Sequence, residues 1–270
     1  MFSRDQLADD FRRVGVAPGD AVMLHASIRA VGEIAGGPDQ IHLAVKDALT
    51  TAGTLVMYAS CPQYADEVGR GNLTPEQEHE VLEKLPPFDP RTARSQRENG
   101  ALVELFRTWP GTEVNRHVAR FALWGRHTSL LLEPQPWDYP FGHGSLLERF
   151  LGLEGKILLL GSDHDAVTFL HYAEHIVDVP GKRIARFKVP VLEQGERVWR
   201  EMAEFDTANG AHPNWPEGFF AQLVDGYLKA TNTPSGYVGS ARSVLFAARG
   251  LLDFALPIMS SAAKDGALGA

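Results

Sequence analysis

The stretch of residues 155–177 constrains the fold of this chain more than any other part of the sequence. Residues 157–160 form a short apolar run, which is typical of a strand covered on both faces, and Gly161 ends the run. After a polar loop, apolar residues recur at helical spacing and would share one face of a helix. These residues are Ala166, Phe169, Leu170, Ala173, Ile176 and Val177. A buried strand that leads into an amphipathic helix is the repeating unit of α/β proteins.

The polar face of the same predicted helix concentrates groups that titrate or form hydrogen bonds. It would carry His164, Asp165, Thr168, His171 and His175. Loops and helices that follow a strand are where α/β enzymes commonly place their chemistry, and a histidine titrates near neutral pH. We therefore interpret His171 as a candidate general base.

The pattern H-x-x-E-H, formed by His171, Glu174 and His175, supports a second interpretation. Two histidines four positions apart on a helix can bind zinc, and Asp163 or Asp165 would be local options for a third ligand. From the residues alone, a metal-dependent hydrolase using His171 and His175 therefore stays open beside direct general-base catalysis.

Elsewhere the chain alternates short strands with amphipathic helices. Apolar segments at residues 21–24 and 54–58 flank a helical pattern, which predicts a βαβ unit, and another strand is expected at residues 121–124. Residues 183–192 and 197–206 flank a turn and predict an antiparallel hairpin. A last helix is expected at residues 243–254. The predicted class is α/β, with a central, mostly parallel sheet flanked by helices and a C-terminal antiparallel hairpin.

The composition predicts one domain. Residues 1–260 contain no linker rich in Gly, Ser or Pro, so we expect a single catalytic domain. An acidic, proline-containing segment at residues 60–99 reads as a surface insertion, and residues 261–270 read as a loose tail.

Charge and cysteine content exclude several classes of protein. The formal net charge of −8 argues against a nucleic-acid partner, which would require clustered Lys and Arg. The single cysteine, Cys61, excludes an intrachain disulfide and a multi-cysteine zinc site, and it suits a reducing compartment. The sequence has neither a signal-type apolar segment near its start nor 18 consecutive apolar residues, so we expect a cytoplasmic protein without a membrane partner.

Several motifs together resemble the aminoglycoside 3-N-acetyltransferases. His25-Ala26-Ser27 with Gly32 is similar to the family's H-S-S-x-x-x-x-G, residues 53–57 are similar to its G-T-L-V-M strand, and Phe88-Asp89-Pro90 with Thr92 is similar to its F-D-P-x-x-[ST] segment. Residues 155–174 follow G-K-[IV]-L-L-L-G-x-x-x-[DE]-x-x-T-x-x-H-x-A-E almost position by position. Ala26 departs from the family, because it replaces the first serine of H-S-S.

The resemblance implies a fold unrelated to that of the common acetyltransferase superfamily, and a reaction. Family members transfer an acetyl group from acetyl-coenzyme A to the 3-amino group of the 2-deoxystreptamine ring of an aminoglycoside, which confers antibiotic resistance, and no metal is implied. By this analogy His171 would be the general base. Asp206 would be the carboxylate that orients it, with Glu174 as the other candidate catalytic carboxylate.

The resemblance also implies binding residues. Contacts to acetyl-coenzyme A are expected from His25, Ala26, Ser27, Ile28, Gly32 and Thr92. Aminoglycosides are polycations, so Asp66, Glu67 and Glu98 would attract and bind the substrate. Two further alternatives stay open, namely an acetyltransferase for an amine that is not an aminoglycoside and a module that binds the antibiotic without chemistry.

Overall fold

The computed structural model describes residues 1–65, 67–207 and 209–265, and it contains a seven-stranded sheet and a separate two-stranded hairpin. The strands are β1 (Ala21–Ala26), β2 (Thr54–Tyr58), β3 (Glu113–Val114), β4 (Phe121–Gly125), β5 (Lys156–Leu160), β6 (Ile184–Glu193), β7 (Glu196–Phe205), β8 (Ser235–Val238) and β9 (Ala241–Ala247). The helices are α1 (Arg4–Arg13), α2 (Ile28–Val31), α3 (Asp39–Leu49), α4 (Pro75–Lys84), α5 (Ala101–Thr108), α6 (Thr128–Leu131), α7 (Leu146–Gly152), α8 (Leu170–Ile176), α9 (Phe219–Ala230) and α10 (Ala248–Asp265).

The large sheet is parallel at its centre and antiparallel at both margins. Its strand order is β3-β4-β2-β1-β5-β9-β8, and β1 runs parallel to both β2 and β5. The outer strands pair antiparallel to their neighbours. β6 and β7 form the separate hairpin. The predicted mixed α/β class with an antiparallel hairpin is confirmed, and the parallel strand pairs of the large sheet are those of β1 with β2 and with β5.

The connections from β1 and β5 diverge at the carboxyl edge of the sheet, and the space beside the ends of these two strands is called the crevice. The chain leaves β1 through α3 to reach β2 on one side, whereas β5 pairs with β1 on the other side. The backbone N–H of Ser27, just after β1, donates to the carbonyl oxygen of Leu160, the last residue of β5, at 2.9 Å. Open α/β sheets bind ligands at such a point, outside the carboxyl ends of strands whose connections diverge.

Both faces of the sheet are covered, which explains the continuous apolar character of its central strands. In β1, Val22 and Leu24 pack into a core formed with α1, α3 and α5. Met23 faces the other core, which contains α7 to α10 and the hairpin. The strand therefore reads as one apolar run instead of an alternating one.

The helix that follows β5 is shorter than the sequence predicted. His164, Asp165 and Ala166 form a single 3-10 turn, and α8 begins only at Leu170. The Asp163 carboxylate accepts a hydrogen bond from the backbone N–H of Asp165 at 2.9 Å, which favours the tight turn. His164 therefore lies outside α8, and Thr168, expected on the polar face, is buried.

The C-terminal part of the chain differs from the prediction in two places. Residues 241–247 form strand β9 between β5 and β8, so the last helix begins at Ala248 and not near Ser243. The predicted tail is wrong for residues 261–265, which continue α10. Ala263 is buried there, and its carbonyl accepts a hydrogen bond from Asn214 at 2.7 Å. Residues 266–270 lie outside the described part of the chain.

The acidic segment at residues 60–99, predicted as a surface insertion, also contributes side chains to the core. Tyr64, Val68 and Phe88 are buried in the core, and α4 packs on β6. The backbone N–H of Phe88 donates to the carbonyl oxygen of Pro190 in β6 at 2.7 Å. The middle of the segment is therefore joined to the hairpin.

Within the described ranges, none of the helices has both the length and the apolar character that crossing a membrane requires.

Gly161 is the residue whose replacement should disturb the crevice most directly. It has φ +60°, and an added Cβ would lie 2.4 Å from the Cβ of Ala30 in α2. Gly19 is a matched control, because it also has a positive φ (+90°) but no atom within 4 Å of an added Cβ. We expect Gly161→Ala to lower the free energy of unfolding by about 1–3 kcal/mol more than Gly19→Ala, the cost of overpacking. Urea denaturation measures both, and equal losses would contradict the close contact.

Candidate active site

His171 and Glu174 form a hydrogen-bonded pair on α8. The Nδ1 atom of His171 lies 2.6 Å from Oε2 of Glu174, one helical turn away. The Glu174 side chain is 6% exposed and the His171 side chain is 25% exposed. The carboxylate thus lies beneath the imidazole and engages Nδ1, which leaves Nε2 as the ring nitrogen for a substrate proton.

Aromatic side chains fix the orientation of the imidazole. Phe141 stacks on His171 with ring centroids 5.1 Å apart and an interplanar angle of 28°, and the Phe220 ring lies 5.0 Å from it. Phe220 belongs to α9, whereas Phe141 lies in the loop before α7. Two parts of the chain distant in sequence therefore hold the ring of His171 against its carboxylate.

Lys182 ties the end of α8 to the hairpin. Its Nζ donates to the carbonyl oxygens of Glu174, His175 and Val177 at 3.0, 3.2 and 2.9 Å. The same ammonium lies 4.0 Å from the centroid of the Phe205 ring, at the end of β7. A cation at the carbonyl end of a helix satisfies free acceptors and favours the helix dipole. Burial lowers the pKa of Lys182.

His175 has a structural environment. Its Nδ1 lies 2.7 Å from the carbonyl oxygen of His171, and Phe205 packs against its ring at 5.0 Å. Burial is the main cause that lowers the pKa of His175 to about 3, so its ring is neutral at pH 7. Both histidines of the H-x-x-E-H pattern therefore use Nδ1 within their own helix. Across the described ranges, we find no cluster of three or more His, Cys, Asp or Glu side chains placed to hold a metal ion.

Asp206, predicted to orient His171, makes different contacts. Its Oδ1 accepts from Nη1 of Arg70 at 2.6 Å, and its Oδ2 accepts from Nδ2 of Asn209 at 3.0 Å. The other guanidinium nitrogen of Arg70 donates to Oε1 of Glu204 at 2.6 Å, and the Tyr64 hydroxyl donates to the same carboxylate group. The carboxylate on His171 is therefore that of Glu174, and Asp206 belongs to a buried ion cluster.

The ion cluster sets the ionisation of Asp206. Burial, the largest single influence, opposes the charge, but hydrogen bonds from Asn209 and Arg70 outweigh it and lower the pKa of Asp206. The Arg70 and Glu204 side chains are each 1% exposed. Sequence reasoning missed Arg70 and Tyr64, because nothing in the local pattern of residues 60–99 indicates a partner more than a hundred positions away.

Five of the six predicted cofactor residues lie together at the crevice. His25 and Ala26 end β1, Ser27 and Ile28 begin the short helix α2, and Gly32 follows that helix with φ +89°. Ser162, after β5, donates from its hydroxyl to the carbonyl oxygen of His25 at 3.1 Å. Burial lowers the pKa of His25 to about 4, so its imidazole is neutral at pH 7.

Thr92, the sixth predicted cofactor residue, lies in a neighbouring loop that Arg120 holds in place. Arg120 is fully buried and donates to the carbonyl oxygens of Ala59 at 2.9 Å, Pro90 at 2.9 Å and Ala93 at 2.7 Å. Thr92 itself is exposed. Arg120 therefore joins the exit of β2 to the Thr92 loop. In the sequence, the only indication of this role of Arg120 was its position directly before an apolar strand.

The predicted substrate residues are less well defined by the structure. Asp66 lies outside the described residues, and Glu67 and Glu98 are exposed, with Glu98 in the 3-10 turn Arg97–Asn99. In the described ranges, neither Glu67 nor Glu98 has a hydrogen bond or ion pair with His171. Their predicted role rests on charge alone.

A cavity of about 1200 Å³ lies apart from this site. It is bounded by the turn of the hairpin, the end of α5 and the segment around β3, with Arg107, Arg116 and Trp137 among its walls. Neither His171 nor Glu174 lines it. We place the candidate active site at the His171–Glu174 pair, because hydrogen bonding and burial define it and cavity size alone does not.

The chain was compared with known proteins. The family model described as aminoglycoside 3-N-acetyltransferase matches residues 23–260. Aminoglycoside N(3)-acetyltransferase III of Pseudomonas aeruginosa is 38% identical over 263 residues, which cover 97% of this chain and 94% of that protein. The structure of AAC-IIIb in a binary complex with CoASH is similar with a TM-score of 0.88 and 36% identity, covering 96% of this chain and 97% of that one. The structure of AAC-VIa bound to sisomicin has a TM-score of 0.88 and 33% identity, covering 96% and 98%.

A family model over most of the chain and a relative at more than a third identity agree with the motifs and with the observed fold. The chain belongs to the aminoglycoside 3-N-acetyltransferase family.

Proposed function

We propose that this chain transfers an acetyl group from acetyl-coenzyme A to the 3-amino group of the 2-deoxystreptamine ring of an aminoglycoside, and so confers resistance to the antibiotic. The observation that carries the proposal is the His171–Glu174 pair, with Nδ1 engaged and the side chain partly exposed at the carboxyl edge of the sheet. Family membership supports the reaction, as do the relatives that bind CoASH and sisomicin.

His171 acts as the general base in this proposal. An amine that is protonated in water must lose its proton before its nitrogen can attack a thioester carbonyl. Nε2 of His171 accepts that proton first, and the neutral amine then attacks the thioester carbonyl to form the C–N bond. The tetrahedral intermediate expels the thiolate of coenzyme A, which takes the second proton from the former amine nitrogen and leaves as the free thiol, with the amide as the other product. No covalent enzyme intermediate is required.

Glu174 positions and supports the base. Its carboxylate accepts the hydrogen bond from Nδ1–H of His171, which keeps the lone pair on Nε2. As Nε2 gains a proton, the imidazole becomes a cation, and a buried carboxylate 2.6 Å away stabilises it more than water would. The stacked ring of Phe141 limits rotation of the imidazole out of this arrangement.

The crevice beside β1 and β5 binds acetyl-coenzyme A in this proposal. His25, Ala26, Ser27, Ile28 and Gly32 lie there, and Thr92, in the loop that Arg120 anchors, is assigned to the same ligand by the family motif. Because Ala26 replaces a serine of the family motif, backbone groups supply the contacts at that position. Binding the two substrates side by side removes most of the entropic cost of bringing them together in the transition state.

Replacement of His171 tests the base. We expect His171→Ala to lower kcat by about 10²–10⁴-fold, the typical contribution of general-base catalysis, while the affinity for coenzyme A changes little. Release of free thiol from acetyl-coenzyme A, measured with a panel of aminoglycosides, gives the rate, and calorimetry gives the affinity.

His164 supplies the matched control for this test. It lies outside α8 and pairs with Asp225 at 2.6 Å, so His164→Ala should retain turnover. Wild-type turnover in His171→Ala would exclude the proposed role. Turnover of simple amines without turnover of any aminoglycoside would exclude the proposed substrate.

The carboxylate that supports His171 is tested by two isosteric replacements. Glu174→Gln should lower kcat by about 10–100-fold with an unchanged KM, because it removes the negative charge that stabilises the imidazolium and changes the packing little. Asp206→Asn should retain kcat in the folded protein but reduce the free energy of unfolding, because Arg70 loses a charged partner in a buried cluster. Kinetics and urea denaturation of both variants provide the measurement, and the reverse pattern would give the orienting role to Asp206.

The acidic surface is tested by ionic strength. If exposed carboxylates attract a polycation, KM for the aminoglycoside should rise with salt, since screening weakens interactions between exposed charges. The double variant Glu67→Gln, Glu98→Gln should show a weaker dependence of KM on salt. Glu196→Gln, at the exposed turn of the hairpin, serves as the charge-matched control for one substitution. A salt-independent wild-type KM would contradict the role of these carboxylates.

A further inference from the structure

Lys46 is a buried cation without an anionic partner. It lies in the last turn of α3 and is 8% exposed. In the described part of the chain, no carboxylate oxygen lies within ion-pair distance of its Nζ, and Nζ makes no side-chain hydrogen bond, while the atom itself keeps contact with the solvent of a pocket. Buried lysines are rare unless they are paired, so this position requires an explanation.

The charged groups around Lys46 are committed elsewhere. Arg4 binds Asp47 through two hydrogen bonds of 2.5 and 2.6 Å, so this carboxylate is already neutralised. His42, one turn before Lys46, is fully buried, and burial is the main cause that lowers its pKa to about 4, which leaves it neutral. Asp39 lies 3.4 Å from Nε2 of His42. The charge of Lys46 therefore has no counter-ion among its neighbours.

Among the described residues, two aromatic rings partly compensate this charge. The Nζ atom lies 4.9 Å from the centroid of Phe106 and 5.2 Å from that of Trp124. Ring faces attract a cation, but by only about 0.5–2 kcal/mol each. Burial still lowers the pKa of Lys46 to about 8, and repulsion from Arg4 adds to the effect. The charge thus costs free energy that an anion beside it would recover.

The space for such an anion exists. Lys46 opens on a pocket of about 480 Å³, within the size range of small-molecule sites. Two indoles, Trp109 and Trp124, line the pocket, and Thr50 and Thr51 also line it. Arg4 and Asp47, which pair with each other, also line the pocket, so Lys46 is the cation of its lining that has no carboxylate partner. Flat apolar walls with this cation and nearby hydroxyl groups suit a ligand that has a ring and an anionic group.

This pocket is separate from the candidate active site. Trp124 pairs with Leu55 near the start of β2, so the pocket lies toward the amino ends of the parallel strands. His171 follows β5 at the opposite, carboxyl edge of the sheet. Neither His171 nor any of the predicted cofactor residues lines the pocket.

We propose that this pocket is a binding site for a small organic anion, with a carboxylate or phosphate on Nζ of Lys46 and a flat apolar ring against Trp109 and Trp124. The ammonium of Lys46 supplies the charge-assisted hydrogen bond, and the indoles supply apolar contact area. The site is independent of the proposed acetyl transfer.

Binding of simple probes to the full chain tests this site. Benzoate and phenyl phosphate carry the ring and the anion, and benzyl alcohol is the neutral control of similar size. We expect at least one of the two anions to bind saturably in calorimetry and to change the tryptophan fluorescence, whereas benzyl alcohol should bind at least about tenfold more weakly, as expected for loss of one charge-assisted hydrogen bond.

Lys46→Met separates the charge from the packing, because methionine keeps an unbranched apolar side chain of similar length. We expect it to weaken anion binding at least about tenfold and to leave benzyl alcohol binding unchanged. Lys229→Met, at the exposed end of α9, is the control variant and should bind the anions as the wild type does. If Lys46→Met fails to fold, Lys46→Gln replaces it. Equal affinities for the anions and benzyl alcohol, no saturable binding of either anion, or undiminished binding after loss of the charge would each overturn the proposal.

Discussion

The parallel pairing of β1 with both β2 and β5 is the constraint on which the rest of the molecule depends. It buries both faces of β1, so the strand must be apolar throughout, and helices must cover both sides of the sheet. It also aligns the carboxyl ends of three strands at one edge. The backbone then delivers the segment after β1 and the segment after β5 to the same place, joined by the hydrogen bond from Ser27 to Leu160. The crevice and the His171–Glu174 pair both follow from that arrangement.

The sequence predicted secondary structure correctly where one strong local pattern determined it. Strand β2 and the hairpin lie close to their predicted bounds, α3 forms in the predicted connection between β1 and β2, and the Gln194–Gly195 turn has the two positive φ values that a tight hairpin needs. It was insufficient where a tertiary contact overrode the pattern. Residues 241–247 were predicted as the start of a helix, but pairing with β5 and β8 makes them a strand. Helical spacing also continued through residues 164–169, although the Asp163 side chain supports a 3-10 turn there.

The same distinction applies to the candidate site. His171 was predictable because the family motif includes it, and Glu174 lies on the same helix at a spacing that brings the two side chains together. Asp206 was assigned by resemblance and by its position at the end of a strand. What decides its contacts is Arg70, whose guanidinium spans Asp206 and Glu204 from a segment more than a hundred residues earlier. The strand pattern of residues 197–206 carries no information about which group meets Glu204 and Asp206.

The buried cations show that the amino-acid composition does not predict which electrostatic contacts form. Arg70 is stabilised by two carboxylates, so removing either one would leave a buried cation with only one of its two charged partners. Arg120 is held instead by three backbone carbonyl oxygens, which are dipoles that partly replace hydration, and burial lowers its pKa to about 10. Lys46 has neither carboxylates nor carbonyls and rests on aromatic faces. The net charge of −8 is therefore no guide to local balance, because the acidic excess lies mostly on the surface while these cations lie inside. Inside a protein, a cation is stabilised mainly by the groups within a few ångströms of it. Lys46 lacks carboxylate and carbonyl partners, so among these three cations it would be stabilised most by a bound anion.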